Sequence, residues 1–243
     1  MKKMIMVVLM AMMVLCGMAS LVMAEEESAF SGTVEAGVAT KYVDELSGTL
    51  IHDNPTARLY AELDHDSGFY AAVEAYKSLD EASYDEPSFY FGFGDDLVSW
   101  NWDIGYAYYS EYQMHAVYAN IDFPKLGDWN LTPFLNVEAE FPDNAEAGEG
   151  GVLYRAGIKT AIEVFEQSIF LDASVAGHDG AWDTRTELLS SARITASTYI
   201  SLIEEVVDFA PELSYQKRIG HKPEEGGMTD DEFFAGAKVI FYF

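Results

Sequence analysis

The chain ends on a one-faced strand. Within its last eleven residues, FFAGAKVIFYF, Phe233, Ala235, Ala237, Val239, Phe241 and Phe243 recur at every second position and so share one side of an extended backbone. Such a face must be buried against a core or against lipid. After Ala24 no apolar run approaches the ~20 residues that a membrane helix needs, so strands are the only element left that can span a bilayer. Spanning strands must also close into a barrel, because an open edge in hydrocarbon leaves backbone groups unpaired. In that architecture the apolar face meets lipid and the polar face lines the interior.

The N-terminus fits export. Lys2 and Lys3 precede an apolar run from Met4, and Val22-Met23-Ala24 places small residues where signal peptidase cuts. The spacing predicts a leader over 1–24, cleaved after Ala24, and one barrel domain over 25–243. The rival is an uncleaved anchor, since about 20 apolar residues just span a bilayer; Ala, Gly and Ser near the end of the run favour cleavage. The single cysteine, Cys16, lies in this leader after Leu15, where a lipoprotein cleavage site needs a small residue. The mature chain is therefore expected to carry no disulfide and no lipid anchor. Losing Lys2 and Lys3 takes the formal charge from −27 to −29, which excludes nucleic acid as a partner because no basic patch is left to offset phosphate.

Period-two patterning predicts twelve antiparallel strands in up-and-down order, centred near Gly37, Tyr60, Val73, Phe91, Ile104, Ala119, Leu135, Gly157, Leu171, Ala196, Phe209 and Ala237. The connections alternate in length as they do in outer-membrane barrels. Short turns at Asp64–Gly68, Asp95–Leu97, Pro124–Asp128, Phe165–Gln167 and Ile203–Glu205 are expected on the periplasmic side. Loops at Val43–Pro55, Leu79–Pro87, Ser110–Gln113, Pro142–Gly151, Gly177–Ser190 and Arg218–Glu232 are expected outside; only the third is short. Their acids, including Asp44, Glu45, Asp80, Glu81, Asp85, Glu86, Glu224, Glu225, Asp230 and Asp231, are expected to face lipopolysaccharide through bridging divalent ions.

A soluble ligand-binding barrel would alternate in the same way with its apolar face inward. The polar face carries Glu35, Arg58, Glu62, Glu74, Asp103, Asp122, Glu138, Glu140, Arg155, Lys159, Asp172, Arg193, Asp208, Glu212 and Lys238, interspersed with Ser, Asn, Gly and Tyr. With 14% aromatic residues, many of them on the apolar face, lipid-facing aromatic girdles are favoured. Those fifteen charged residues are then the predicted lumen lining.

The terminal Phe243 resembles the signal that the bacterial barrel-insertion machinery reads, which implies that machinery as a partner during biogenesis. The stretch KYVDELSGTLIHDNPTARLYAELDHDSGFYAAVEAYKSLD, Lys41 to Asp80, resembles the start of the TorF-like porins. A Tyr-containing first strand, a loop, a Pro-Thr-Ala strand and Ser67-Gly68-Phe69-Tyr70-Ala71 carry the likeness. WNWDIGYAYYSEYQMHAVYANID, Trp100 to Asp122, repeats it in an Asp-x-Gly-Tyr strand running into a Tyr-rich hairpin. Val43-Asp44-Glu45 replaces the Phe-Arg-Gly usual after the first tyrosine. The resemblance implies an outer-membrane barrel with a transport role.

Catalytic patterns are weak. His115 sits on the apolar face near the outer rim, where a barrel phospholipase keeps its histidine, but Val117 occupies the place of the needed serine. His178-Asp179 lacks a matching Asp-Asp pair on a facing outer loop, since Asp95-Asp96 falls at a periplasmic turn. Asp64-His65-Asp66 and the loop acids Asp143, Glu146 and Glu149 lack the ligand spacing of an EF-hand and read as solvated turns. Gly226-Gly227 precedes no helix, so it is a loop tip and not a phosphate cradle.

With Glu163 and Lys41 added, acids outnumber bases on the polar face. The expectation is a non-enzymatic channel for small solutes or ions, without cofactor or metal, that prefers cations. Two alternatives stand beside it: a non-conducting surface-interaction barrel plugged by internal ion pairs, and, further off, a lipid-modifying enzyme. No inserted constriction loop is recognisable in the sequence.

Overall fold

A computed structural model describes residues 29–44, 46, 48, 50–79, 87–97, 100–110, 112–127, 130–143, 150–179, 187–219 and 231–243. The leader, Gly226-Gly227 and the acids Glu45, Asp80, Glu81, Asp85, Glu86, Glu146, Glu149, Glu224, Glu225 and Asp230 lie outside these residues. The strands are β1 (Phe30–Ala39), β2 (Tyr42–Val43), β3 (Leu50–His52), β4 (Thr56–His65), β5 (Phe69–Ser78), β6 (Ser88–Leu97), β7 (Trp100–Tyr109), β8 (Met114–Asp122), β9 (Thr132–Pro142), β10 (Val152–Val164), β11 (Gln167–Asp179), β12 (Glu187–Thr198), β13 (Ile200–Ile203), β14 (Val207–Arg218) and β15 (Glu232–Tyr242). No helix among the described residues is long and apolar enough to cross a membrane.

Every expected strand centre falls inside one of these strands. Each wall strand pairs antiparallel with its sequence neighbours, and β1 pairs with both β4 and β15, which closes the ring into a barrel of twelve strands. β12 and β13 are halves of a single wall strand. The ladder to β14 runs Ser197↔Glu212 and resumes at Ile200↔Phe209, so the register carries Pro211 opposite Thr198. Pro211 has no N–H to donate, which accounts for the break. β2 and β3 form a separate hairpin between β1 and β4.

Closure settles which face is outside. Partners across a ladder share a face, and the registers link Glu35 to Tyr60, Arg58 to Tyr76, Asp103 to Asn120 and Gly37 to Lys238 on the inner side. The outer side presents Phe89, Phe91, Ile104, Val117, Phe141, Ile158, Ile194, Leu213, Phe233 and Phe241, all exposed. A soluble barrel would have the opposite polarity; here the apolar belt faces outward, where only lipid can cover it.

The connections differ from expectation in three places, the first being the loop expected at Gly177–Ser190, where Gly177–Asp179 continues β11 in its ladder with β10 and β12 already begins at Glu187. Asp95–Leu97 continues β6 and is no turn, because its backbone keeps pairing with β7 through Leu97↔Trp100. The loop after Val43 was expected outside, and its described part turns inward instead. By contrast Phe165 and Glu166 form the expected tight turn between β10 and β11, both with positive φ (50° and 64°), as a two-residue hairpin loop requires.

Phe243 sits on the closing seam. Its N–H donates to the Gly32 carbonyl (3.1 Å), the Gly32 N–H donates to the Phe243 carbonyl (2.9 Å), and its ring lies against Gly32. Deleting Phe243 removes both bonds, each worth about 1 kcal/mol net, together with the ring packing. The expected result is a smaller heat-modifiable, membrane-inserted fraction in cells. An undiminished fraction would show that the seam closes without this clasp.

Candidate functional site

The barrel encloses a cavity of about 1180 Å³. Asp66, Gly68 and Asp95 border it at the end with short turns, and Tyr42, Asp44 and Tyr112 at the end with long loops. Of the fifteen charged residues singled out in the sequence, Arg58, Glu62, Glu74, Asp103, Asp122, Glu138, Glu140, Lys159, Arg193, Glu212 and Lys238 border this cavity. The other four have partners on the inner face. Glu35 accepts bonds from Lys238 and Arg58, Arg155 donates to Asp172, and Tyr242 donates to Asp208.

Charge is distributed unevenly around the wall. Inner-face bases come from β4 (Arg58), β10 (Arg155, Lys159), β12 (Arg193), β14 (Arg218) and β15 (Lys238). Among the described residues the arc β5–β9 contributes none. Arg58 bridges Glu35 (3.2 Å) and Glu74 (2.5 Å), Lys238 pairs with Glu35 (2.8 Å), Arg155 with Asp172 (2.8 Å), and Lys159 with Asp122. Carboxylates on the base-free arc are held mainly by neutral donors. Tyr70 and Asn120 donate to Asp103, Tyr90 and Tyr76 to Glu74, and Tyr109 to both oxygens of Glu138 (2.9 Å each). Hydroxyl and amide donors satisfy a carboxylate without cancelling its charge.

Two glycines let tyrosines lie flat against this arc. A Cβ at Gly92 would collide with the Tyr70 ring, and one at Gly105 with the Tyr118 ring. The rings fill those places, and the Tyr70 and Tyr118 hydroxyls bond to each other. Any larger residue would push them into the cavity.

The inward loop was not foreseen. Tyr42 stacks on Tyr76 of β5 (centroids 3.9 Å apart, 21° between planes). The Asp44 carbonyl accepts from Arg193 Nη2 of β12 (3.0 Å), and the Gly48 carbonyl accepts from Gln216 Nε2 of β14 (2.7 Å). Lys41 fixes the stem by pairing with Asp53 and Glu232, both at 2.6 Å. Those hydrogen bonds, Asp53 first, raise the Lys41 pKa above its ordinary value and keep the clamp charged. Leaving β1, the loop touches wall strands on both sides of its origin, so it crosses the interior. Asp44 therefore lies within electrostatic reach of Glu138 and Glu140, not on the lipopolysaccharide-facing surface assigned to it from sequence.

The remaining candidates do not assemble. His115 bonds Asp143 through Nε2 and Tyr106 through Nδ1 on the outer face, within a ring group that includes Tyr108; no serine joins it. His178 is fully buried in the wall. His65 bonds Ser67 within its own turn, and Asp95 lies at the opposite end of the barrel from His178. No group of three or more His, Cys, Asp or Glu among the described residues is arranged to hold a metal ion.

No family model and no curated protein sequence matches the chain. Solved structures do. The KdgM porin superposes with a TM-score of 0.54 at 8% identity, covering 87% of this chain and 99% of its own. The NanC porin gives 0.54 at 11% identity, with 86% and 98% covered. A structure of the KdgM porin in complex with disordered oligogalacturonate gives 0.53 at 8% identity, with 88% and 99% covered. At these identities the likeness shows the fold: this chain is a closed twelve-stranded antiparallel barrel built like those of porins.

Proposed function

We propose that the protein is a non-enzymatic outer-membrane channel, of the TorF-like kind, that passes small solutes or ions by diffusion and prefers cations. The observation that carries this reading is the cavity bordered at both barrel ends, with an acidic wall, β5–β9, that has no inner-face base of its own among the described residues and is offset only where Arg58 and Lys159 of the flanking strands reach Glu74 and Asp122. Fixed carboxylates along a wet path attract cations and repel anions. Passage needs no cofactor and no covalent step. The charge also separates this chain from one of its neighbours: an oligogalacturonate is a polyanion, and surplus carboxylates oppose its entry. Acidic outer loops meeting lipopolysaccharide through divalent ions, and delivery by the insertion machinery, belong to the same proposal.

The inward loop favours a second reading, a non-conducting barrel whose interior is plugged. Recording refolded protein in planar bilayers separates the two. The expected result is discrete channel openings with a reversal potential in a salt gradient displaced towards cation selectivity. Silent bilayers carrying correctly folded barrel would decide for the plug.

A further inference from the structure

Glu140 is the least satisfied carboxylate among the described residues of the lumen. It is only 4% exposed, and its Oε2 has no hydrogen-bond partner among the described residues. Glu138, also 4% exposed, points from the same side of β9 two residues away and has both oxygens on Tyr109. The inner-face base on neighbouring β10, Arg155, is turned to Ser174 (3.0 Å) and Asp172 (2.8 Å). Asp44 of the inward loop borders the same cavity. Burying a charged carboxylate oxygen without a partner is costly, and a positive guest beside Glu140 would offset that cost.

The guest's chemistry follows from the walls. The acids are not grouped closely enough to coordinate a metal ion. Beside them stand Tyr109 and Tyr90, packed edge to face at 6.1 Å, which offer π-faces and hydroxyls. Carboxylate oxygens with adjacent aromatic rings suit a cation that carries N–H donors and a polarisable surface. We infer that Glu138, Glu140 and Tyr109, in the cavity that Asp44 of the inward loop also borders, form a binding subsite for organic cations bearing an ammonium or guanidinium group. The inference rests on the channel reading and names the class of solute for which that channel is selective.

The test uses refolded mature barrel and agmatine as the probe, with tetraethylammonium as a cation that lacks N–H donors. In planar bilayers, millimolar agmatine is expected to interrupt the potassium current, and Glu140→Gln to shorten the interruptions about tenfold through loss of one charge-assisted contact. Tetraethylammonium is expected to act at least about tenfold more weakly. Calorimetric titration in detergent micelles reads agmatine binding without conduction. Because Glu140 Oε2 bonds no described residue, E140Q should still give a heat-modifiable barrel. Glu138→Gln, which keeps an acceptor for Tyr109, is the second variant with the same expected effect. Agmatine binding that these variants weaken, in a barrel that conducts nothing, would overturn the channel and uphold the subsite. Conduction indifferent to agmatine, agmatine block unchanged in both variants, or equal block by tetraethylammonium would overturn the subsite and leave the channel standing. Neither conduction nor binding would overturn both.

Discussion

Replacing residues 43–52 with an Asn-Gly turn is expected to raise single-channel conductance about two- to threefold, because this segment occupies cross-section that the twelve-stranded wall would otherwise leave open. The wall should survive the change. Arg193 keeps Gln216 Oε1 as an acceptor (2.9 Å) and the Phe234 ring beneath it (5.3 Å), so no buried charge is stranded. Lys41 keeps Asp53 and Glu232. Asn-Gly suits the two-residue hairpin turn that the shortened loop needs. Unchanged conductance in a correctly folded variant would show that the loop does not restrict the path. A variant that never becomes heat-modifiable would show that the loop is part of the barrel's stability.

The second large effect is on selectivity. Glu138→Gln with Glu140→Gln preserves side-chain size and removes two like charges from one side of the lumen, so current should persist while the cation-to-anion permeability ratio falls. At low salt the drop is expected to be about threefold. It should shrink as salt rises, because the Debye length is about 8 Å at physiological ionic strength and shorter above it. If the ratio ignores the double change at every salt concentration, these two carboxylates do not face the path that ions take.

The wall was legible in the sequence because its information is local. A strand repeats every two residues, and turn chemistry punctuates it, so Trp100, Trp102 and Ile104 against Asn101 and Asp103 already separate two faces. Same-face neighbours such as Glu74 and Tyr76 were also within reach, and their hydrogen bond could have been read from the spacing alone. The inward loop was not legible for the opposite reason. Its anchors bind partners 149 and 168 residues away, Arg193 to Asp44 and Gln216 to Gly48, and no periodicity reports such distances. One signal was present. Leu46, Leu50 and Ile51 are apolar residues in an otherwise polar, acidic segment, and apolar residues in a loop seek cover.

Those long separations also order the protein's assembly. The loop leaves the first wall strand, yet the groups that hold it come from β12 and β14, near the end of the chain. Until those late strands join the sheet, the Asp44 and Gly48 carbonyls lack these two donors, and contacts so distant in sequence form late because their closure entropy is large. Docking of the loop is thus a report that β12 and β14 have arrived. A sheet stalled before β12 and β14 arrive would lack these anchors, and its loop would have no hold across the interior.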